Sequence, residues 1–269
     1  MDVVQAVHGG VPFYHCPAWT GVAHGFSTRL GGVSPAPWDS LNLGANRGDQ
    51  PANVEENFRR FCAAIGTDPE AVVKNKQVHS THIRAVTAKD VIGSLSDPGT
   101  FEADGMVTDQ EGLCLTVFSG DCIPILLYDP VARCIGAVHA GWRGAAGGIA
   151  AQAAMAMQIN FHSKPEDIRA AIGPGIGPCC FETHCDVTDA LRTQMGQAAE
   201  SCIRPLYGTD RFQVDLKGVN TCWLLTAGLT PGNISLCPAC TGCDREHFWS
   251  HRMQGNARGT MAAMIQLVQ

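Results

Sequence analysis

The stretch GDCIPILLYDPVARCIGAVHAGWRG, residues 120–144, constrains the fold more than any other part of this chain. It holds two short apolar runs, 123–128 and 134–139, bounded by Gly, Asp and Pro, and such runs read as strands. The segment GWRGAAGGIAAQAAMAMQIN then reads as a glycine-rich turn followed by a long Ala-rich helix. A chain built this way belongs among the mixed α and β folds.

The remaining segments repeat the mixture. PANVEENFRRFCAAIG reads as a helix, with Val54, Phe58, Phe61, Cys62 and Ile65 at helical spacing, Pro51 at its start and Gly66 as its stop. Further strand-like runs lie at 72–73, 83–86 and 113–118, and DIRAAIGPGIG reads as a strand entering a glycine loop. TDALRTQMGQAAESC and LKGVNTCWLLTAGL read as helices, NISLC and HFWSHR as late strands, and GTMAAMIQL as a strand closing a sheet. Residues 25–48 form a long Gly/Pro/Ser/Asn loop, a kind that is usually functional or disordered. Without a repeat, a low-complexity tract or a linker-like shift, residues 1–269 read as a single domain.

Composition narrows the function. A net charge of -6 without a basic run argues against nucleic acid as the main partner. No uninterrupted apolar run approaches a membrane span, and the start MDVVQAVHGGVPFYHC lacks the basic and apolar regions of a secretion signal. Thirteen cysteines, an odd number in a chain too large to need staples, point to reduced thiols in the cytoplasm.

Cys122 and His139 each stand where a strand meets a turn, and His79 in KNKQVHSTH sits beside another short apolar run. Two imidazoles and a thiolate can hold a zinc ion and leave a fourth position open, the pattern of a catalytic site. No local zinc motif joins them, so the residues alone leave three readings open: metal ligands, a Cys nucleophile with its His base, or a buried core.

The ordered motifs GFSTRLGG, LNLG, QVHS, ADGMVTD, GDCIPILLYDP, GAVHAGWRG, AIGPGIGPCCFE and FWSHR resemble the YfiH/laccase-domain family over nearly the whole chain. The resemblance implies an α+β fold of four layers, α/β/β/α, with mixed β-sheets, and a zinc site made by His79, Cys122 and His139. It further implies an enzyme: phosphorolysis of adenosine, inosine, guanosine and methylthioadenosine, with deamination of adenosine. Small-molecule nucleoside and phosphate are then the partners, and self-association into a homo-oligomer stays open. Cys122, His139 and Arg29 would be catalytic, the first two metal-bound as well. Arg29 and Arg143 are candidates for phosphate, Arg143 from a helix start whose backbone N–H groups would add to its charge. Asp104 and Glu182 are candidate proton shuttles, and Asn42 a candidate for ribose or base.

Two rivals share the same residues. Copper, with an added Met ligand, would make a polyphenol oxidase, although the ten histidines contain no H-x-H pair. A Cys122–His139 amidase editing a cell-wall precursor is the other, and a protein that only binds partners is a third class. CPACTGC sets Cys237, Cys240 and Cys243 at C-x2-C-x2-C spacing, with His247 as an available fourth ligand for a second metal, while Cys179 and Cys180 read as packing or near-site residues.

Overall fold

Strands that are apolar at nearly every position, such as residues 123–128 and 134–139, need cover on both faces of their sheet. The computed structural model describes residues 2–45 and 47–268; Met1, Asn46 (inside the expected long loop) and Gln269 lie outside them. Its strands are β1 (Val4–His8), β2 (Val11–His15), β3 (Val22–Ser27), β4 (Val72–Lys74), β5 (Ile83–Ala85), β6 (Gly105–Thr108), β7 (Cys114–Ser119), β8 (Ile123–Asp129), β9 (Cys134–Ala140), β10 (Arg169–Ile172), β11 (Glu182–Thr183), β12 (Ile203–Pro205), β13 (Phe212–Val214), β14 (Ile234–Leu236) and β15 (Met261–Leu267). Its α-helices are α1 (Pro51–Ile65), α2 (Trp142–Ala146), α3 (Ile149–Phe161), α4 (Cys185–Met195), α5 (Leu216–Thr226) and α6 (His251–Gln254).

One six-stranded sheet runs β1-β2-β3-β15-β7-β4, a second β14-β10-β8-β9-β6-β5, and a small third β11-β13-β12. Both large sheets are mixed: β4–β7, β5–β6 and β10–β14 pair in parallel, the other pairs antiparallel. The two sheets stack face to face. Leu126, Ile135 and Ala137 of one meet Leu115, Val117, Ala263 and Ile265 of the other between them. The alternate residues face outward: Ile123, Ile125, Leu127 and Val138 pack beneath α2, α3 and α5. On the opposite side Val54, Phe58, Phe61, Cys62 and Ile65 of α1 cover Cys114, Ala262 and Met264. The fold is therefore α+β in four layers, α/β/β/α, with about 1.5–3 kcal/mol gained for each large apolar side chain so buried.

Five segments differ from expectation. GTMAAMIQL does form a strand, but β15 lies inside its sheet, between β3 and β7, because its residues are apolar on both faces. HFWSHR is not a strand: Phe248 and Trp249 are buried as an aromatic plug against Met261, and Ser250 accepts from Met253 N to start α6. The expected Ala-rich helix is α3, but the glycine-rich turn before it winds into the short α2, and α4 ends at Met195, beyond which 196–202 winds on as a 3-10 turn. Residues 25–27 of the expected loop belong to β3. Among the described residues, no helix is long and apolar enough to cross a membrane.

Candidate functional site

Strand register builds the site. β8 and β9 pair antiparallel with Ile123 opposite Ala140 and Pro124 opposite His139, which sets Cys122 beside His139 at one end of the sandwich. His79 arrives there from the loop between β4 and β5. One donor atom from each of the three lies within 4.8 Å of the others. Cys122 Sγ stands 3.8 Å from His79 Nε2, and the two imidazoles meet edge to face with centroids 5.0 Å apart.

Asp104 holds this geometry from behind. Its carboxylate accepts from His139 Nδ1 at 2.8 Å, and also from Val78 N, His79 N, Ser80 N and Ser80 Oγ. The bond to Nδ1 fixes the tautomer and turns Nε2 of His139 toward the other donors, as the outer partner of a metal-bound imidazole does. Two backbone strains add to the picture. His79 and Asp121 take φ of 62° and 102°, a region that costs a non-glycine residue about 1–3 kcal/mol. Asp121 is held there by Thr241 Oγ1 at 2.6 Å, Ser250 Oγ at 3.0 Å and Arg252 N at 2.6 Å, and Cys122 follows it directly. Gly141 must lack a side chain, because a Cβ would stand 2.5 Å from His79 Cδ2 and 3.4 Å from Cys122 Sγ.

Burial raises the Cys122 thiol, but the charge of His139 and hydrogen bonds from both imidazoles outweigh it and lower the thiol below its ordinary value. Burial likewise opposes protonation of His139, yet Cys122 and Asp104 raise it. The two groups form a thiolate–imidazolium pair, and a divalent cation bound there would displace the ring Nε2 proton to solvent. The donor set of one thiolate and two imidazoles, with the cleft on its open side, fits a divalent metal with three protein ligands.

The cleft beside it measures about 530 Å³ and is cationic, lined by Arg47, Lys74, Lys76, Arg143, Arg252 and Arg258. Arg258 is 5% exposed, gives Nη1 to Gly259 O at 2.7 Å, and has no partner for Nε among the described residues. Burial, and then the nearby charge of Arg47, lower its pKa to about 10. The charge of Arg47 repels that of Arg258, and an anion in the cleft that both line would relieve it. Arg47 and Arg258 carried no motif in the sequence: each is a lone Arg within a Gly/Asn stretch.

The other candidates fall into different places. Arg143 lines the cleft and stacks on Trp142 at 4.2 Å, but α2 is only five residues long, so its free N–H groups add no anion site. Arg29 does not line the cleft: its guanidinium is bound to Asp39 at 2.9 Å and to Arg245 O at 3.1 Å. Asn42 is fully buried, accepting from Gly44 N and Thr260 N while donating to Asp49, so it ties a loop to the residue just before β15 and is closed to ligand. Glu182, in β11, is paired with Arg211 and is not among the residues that line the cleft, although its carbonyl accepts from Arg252, which is. Asp104 faces the His139 ring and backbone N–H groups, a positioning carboxylate with no oxygen left for substrate. Cys237 turns into the core between the sheets, and His247 bonds Asp244, so the expected second ligand set does not form.

Lys74 yields a test of its own. It is 4% exposed, donates to Leu95 O at 2.7 Å and lies over the Phe58 ring. Burial, partly offset by Asp97, lowers its pKa to about 8. Below that value the folded and unfolded chains are equally protonated and the full cost of burying the charge is present. Between about 8 and the unfolded value near 10.4 the unfolded chain binds more protons, so stability rises with pH, by on the order of 3 kcal/mol over the window. Denaturant unfolding at successive pH values should show this slope, and Lys74→Met should flatten it.

A two-sheet sandwich that carries a cysteine and two histidines at one end, beside a cleft lined by basic side chains, defines a small-molecule site whose donors suit a metal. Residues 23–268 match the family described as multi-copper polyphenol oxidoreductase laccase, and the chain belongs to that laccase-like YfiH family. It is 37% identical to the purine nucleoside phosphorylase YlmD of Geobacillus stearothermophilus, over 98% of this chain and 97% of that one. It is 35% identical to the purine nucleoside phosphorylase YfiH of Escherichia coli, over 94% and 98%. The crystal structure of YlmD from G. stearothermophilus superposes with a TM-score of 0.92 at 34% identity, all of both chains being covered, and that of YfiH from Bacillus licheniformis with 0.91 at 34%, over 98% and 99%.

Proposed function

We propose that this chain is a zinc-dependent purine nucleoside phosphorylase acting on adenosine, inosine, guanosine and methylthioadenosine, with adenosine deamination as a second activity of the same site. One observation carries the reading: the Arg47–Arg258 pair and the His79–Cys122–His139 donors line one cleft of a size that suits a nucleoside. The names borne by full-length relatives support it. A divalent ion held by the three donors supplies Lewis acidity at the cleft wall. Arg258, Arg47 and Arg143 bind phosphate through charged N–H donors and bring an oxygen of it to the ribose C1′. Phe118, Trp142 and Phe181 give the purine apolar walls and exclude water from the bond that breaks. Asp121 is engaged by three donors, which leaves Asp97 as the other lining carboxylate, in place to accept an N–H or O–H of the substrate while the departing base takes its proton from water. Among the described residues no methionine lines the cleft, so the axial ligand of a blue-copper centre is missing and zinc suits the donors better. β15 lies between β3 and β7, which supports reading the chain as one domain, and thirteen free thiols suit a cytoplasmic setting.

The test is to incubate the purified protein with adenosine, with and without phosphate, and identify products. Adenine plus ribose 1-phosphate, formed only with phosphate, is the expected result; inosine formed without phosphate reports the deaminase. Arg258→Gln should raise the KM for phosphate by about 10–100-fold, the value of one or two charge-assisted hydrogen bonds. An unchanged KM would place the phosphate elsewhere.

A further inference from the structure

Two loops far apart in the chain bring four cysteines together at a second place. Cys179 and Cys180 follow the glycine loop after β10, and Cys240 and Cys243 lie in the segment after β14. Their four sulfurs lie within 4.8 Å of one another, and Cys243 Sγ is 3.4 Å from both Cys179 Sγ and Cys180 Sγ. All four are free thiols. A tetrahedron of thiolates around zinc at about 2.3 Å has sulfurs roughly 3.8 Å apart, so the cluster needs only small shifts to close on an ion.

The surrounding chain is built for that purpose. Cys240 Sγ accepts from Gly177 N at 3.1 Å, a bond that favours a thiolate. Cys240 O accepts from Cys243 N and Asp244 N, a tight turn that brings the two sulfurs of CTGC round to one side. A Cβ on Gly242 would stand 2.8 Å from Cys180 Cβ, so only glycine lets the two loops meet this closely. Lys217, 5% exposed, donates Nζ to Cys237 O at 2.6 Å and to Ala239 O at 2.7 Å, fixing the same loop and placing a positive charge beside the sulfurs.

We propose that Cys179, Cys180, Cys240 and Cys243 form a closed zinc site, separate from the His79–Cys122–His139 centre. Each thiol gives up its proton to solvent as a sulfur–zinc bond forms, and no electron is transferred. With four protein ligands the site has no open position, so its role is structural. It ties the loop that supplies Ile176 and Phe181 to the cleft wall to the segment whose Thr241 and Ser250 hold Asp121.

The experiment uses the full chain with His79→Ala and Cys122→Ser combined, which removes the first centre, purified under reductant without chelator. Elemental analysis should find one zinc per chain, against two in the unsubstituted protein. Cobalt titrated into the chelated double variant should give intense thiolate-to-metal charge transfer saturating at one equivalent, a readout that needs no change to the cluster. Cys240→Ser on that background should abolish both signals and lower the Tm. A folded double variant that holds no zinc and takes up no cobalt overturns the proposal. So does zinc that survives Cys240→Ser, or a disulfide among the four sulfurs in reductant-treated protein.

Discussion

Cys122→Ser should leave a folded protein that has lost both its first metal and its turnover. A serine hydroxyl in that position has a far higher pKa than a thiol and offers a poorer ligand, while the change in volume is small. The two imidazoles left behind make an incomplete donor set, and the loss of activity should exceed the roughly 10–100-fold typical of removing an outer partner of a metal ligand. Metal content and rate must be measured together. Loss of both supports a ligand role for the thiolate. Retained stoichiometric metal with dead chemistry would assign Cys122 as a nucleophile, which a metal-bound sulfur is not, and would favour the amidase reading over phosphorolysis.

Some of this centre could be read directly from the chain, and some could not, for identifiable reasons. The runs around Ile123–Asp129 and Cys134–Ala140 are apolar throughout because both faces of β8 and β9 are covered. Their shared register then places Cys122 beside His139. The amphipathic spacing of α1 maps residue for residue onto the contacts it makes with the first sheet. What escaped were elements with short or polar strands: β1 and β2 form a hairpin through Gly9–Gly10, a two-residue turn signal that was there to be used, and β6 lies hidden inside ADGMVTD. Buried aromatics misled in HFWSHR, since Phe and Trp favour strands but also plug loops. Side-chain commitments were illegible altogether. Nothing in STRLGG says that Arg29 is spent on Asp39, and nothing in GNARGT says that Arg258 reaches the cleft. Cys237 is in register with Cys240 and Cys243 in sequence only; Cys179 and Cys180 complete the cluster from more than fifty residues away, a distance no local motif spans.

Asp104→Ala carries the largest stability cost among the substitutions considered. The carboxylate is 1% exposed and its two oxygens accept every donor that faces them: three backbone N–H groups, the Ser80 hydroxyl and the His139 ring. Those donors lower its pKa well below the usual carboxylate range although burial alone would raise it. Alanine would strand them in a space water cannot easily enter. Breaking a buried, hydrogen-bonded charge in this way costs about 3–5 kcal/mol, which for a chain of this size is a fall in Tm of roughly 10 °C. The effect on metal should be larger than that on folding. Both His79, held by its backbone in a left-handed turn, and His139, held by its ring, lose the same anchor, so two of three donors become free to rotate. Asp104→Asn distinguishes the two consequences. Its amide keeps the volume and one acceptor, but its NH2 must face an N–H, so stability should recover in part while metal affinity stays about 10–100-fold down. Thermal unfolding and zinc competition, run on both variants, give the comparison. Equal metal affinity in Asp104→Asn and the unsubstituted chain would reduce Asp104 to a scaffold residue and remove it from the metal centre.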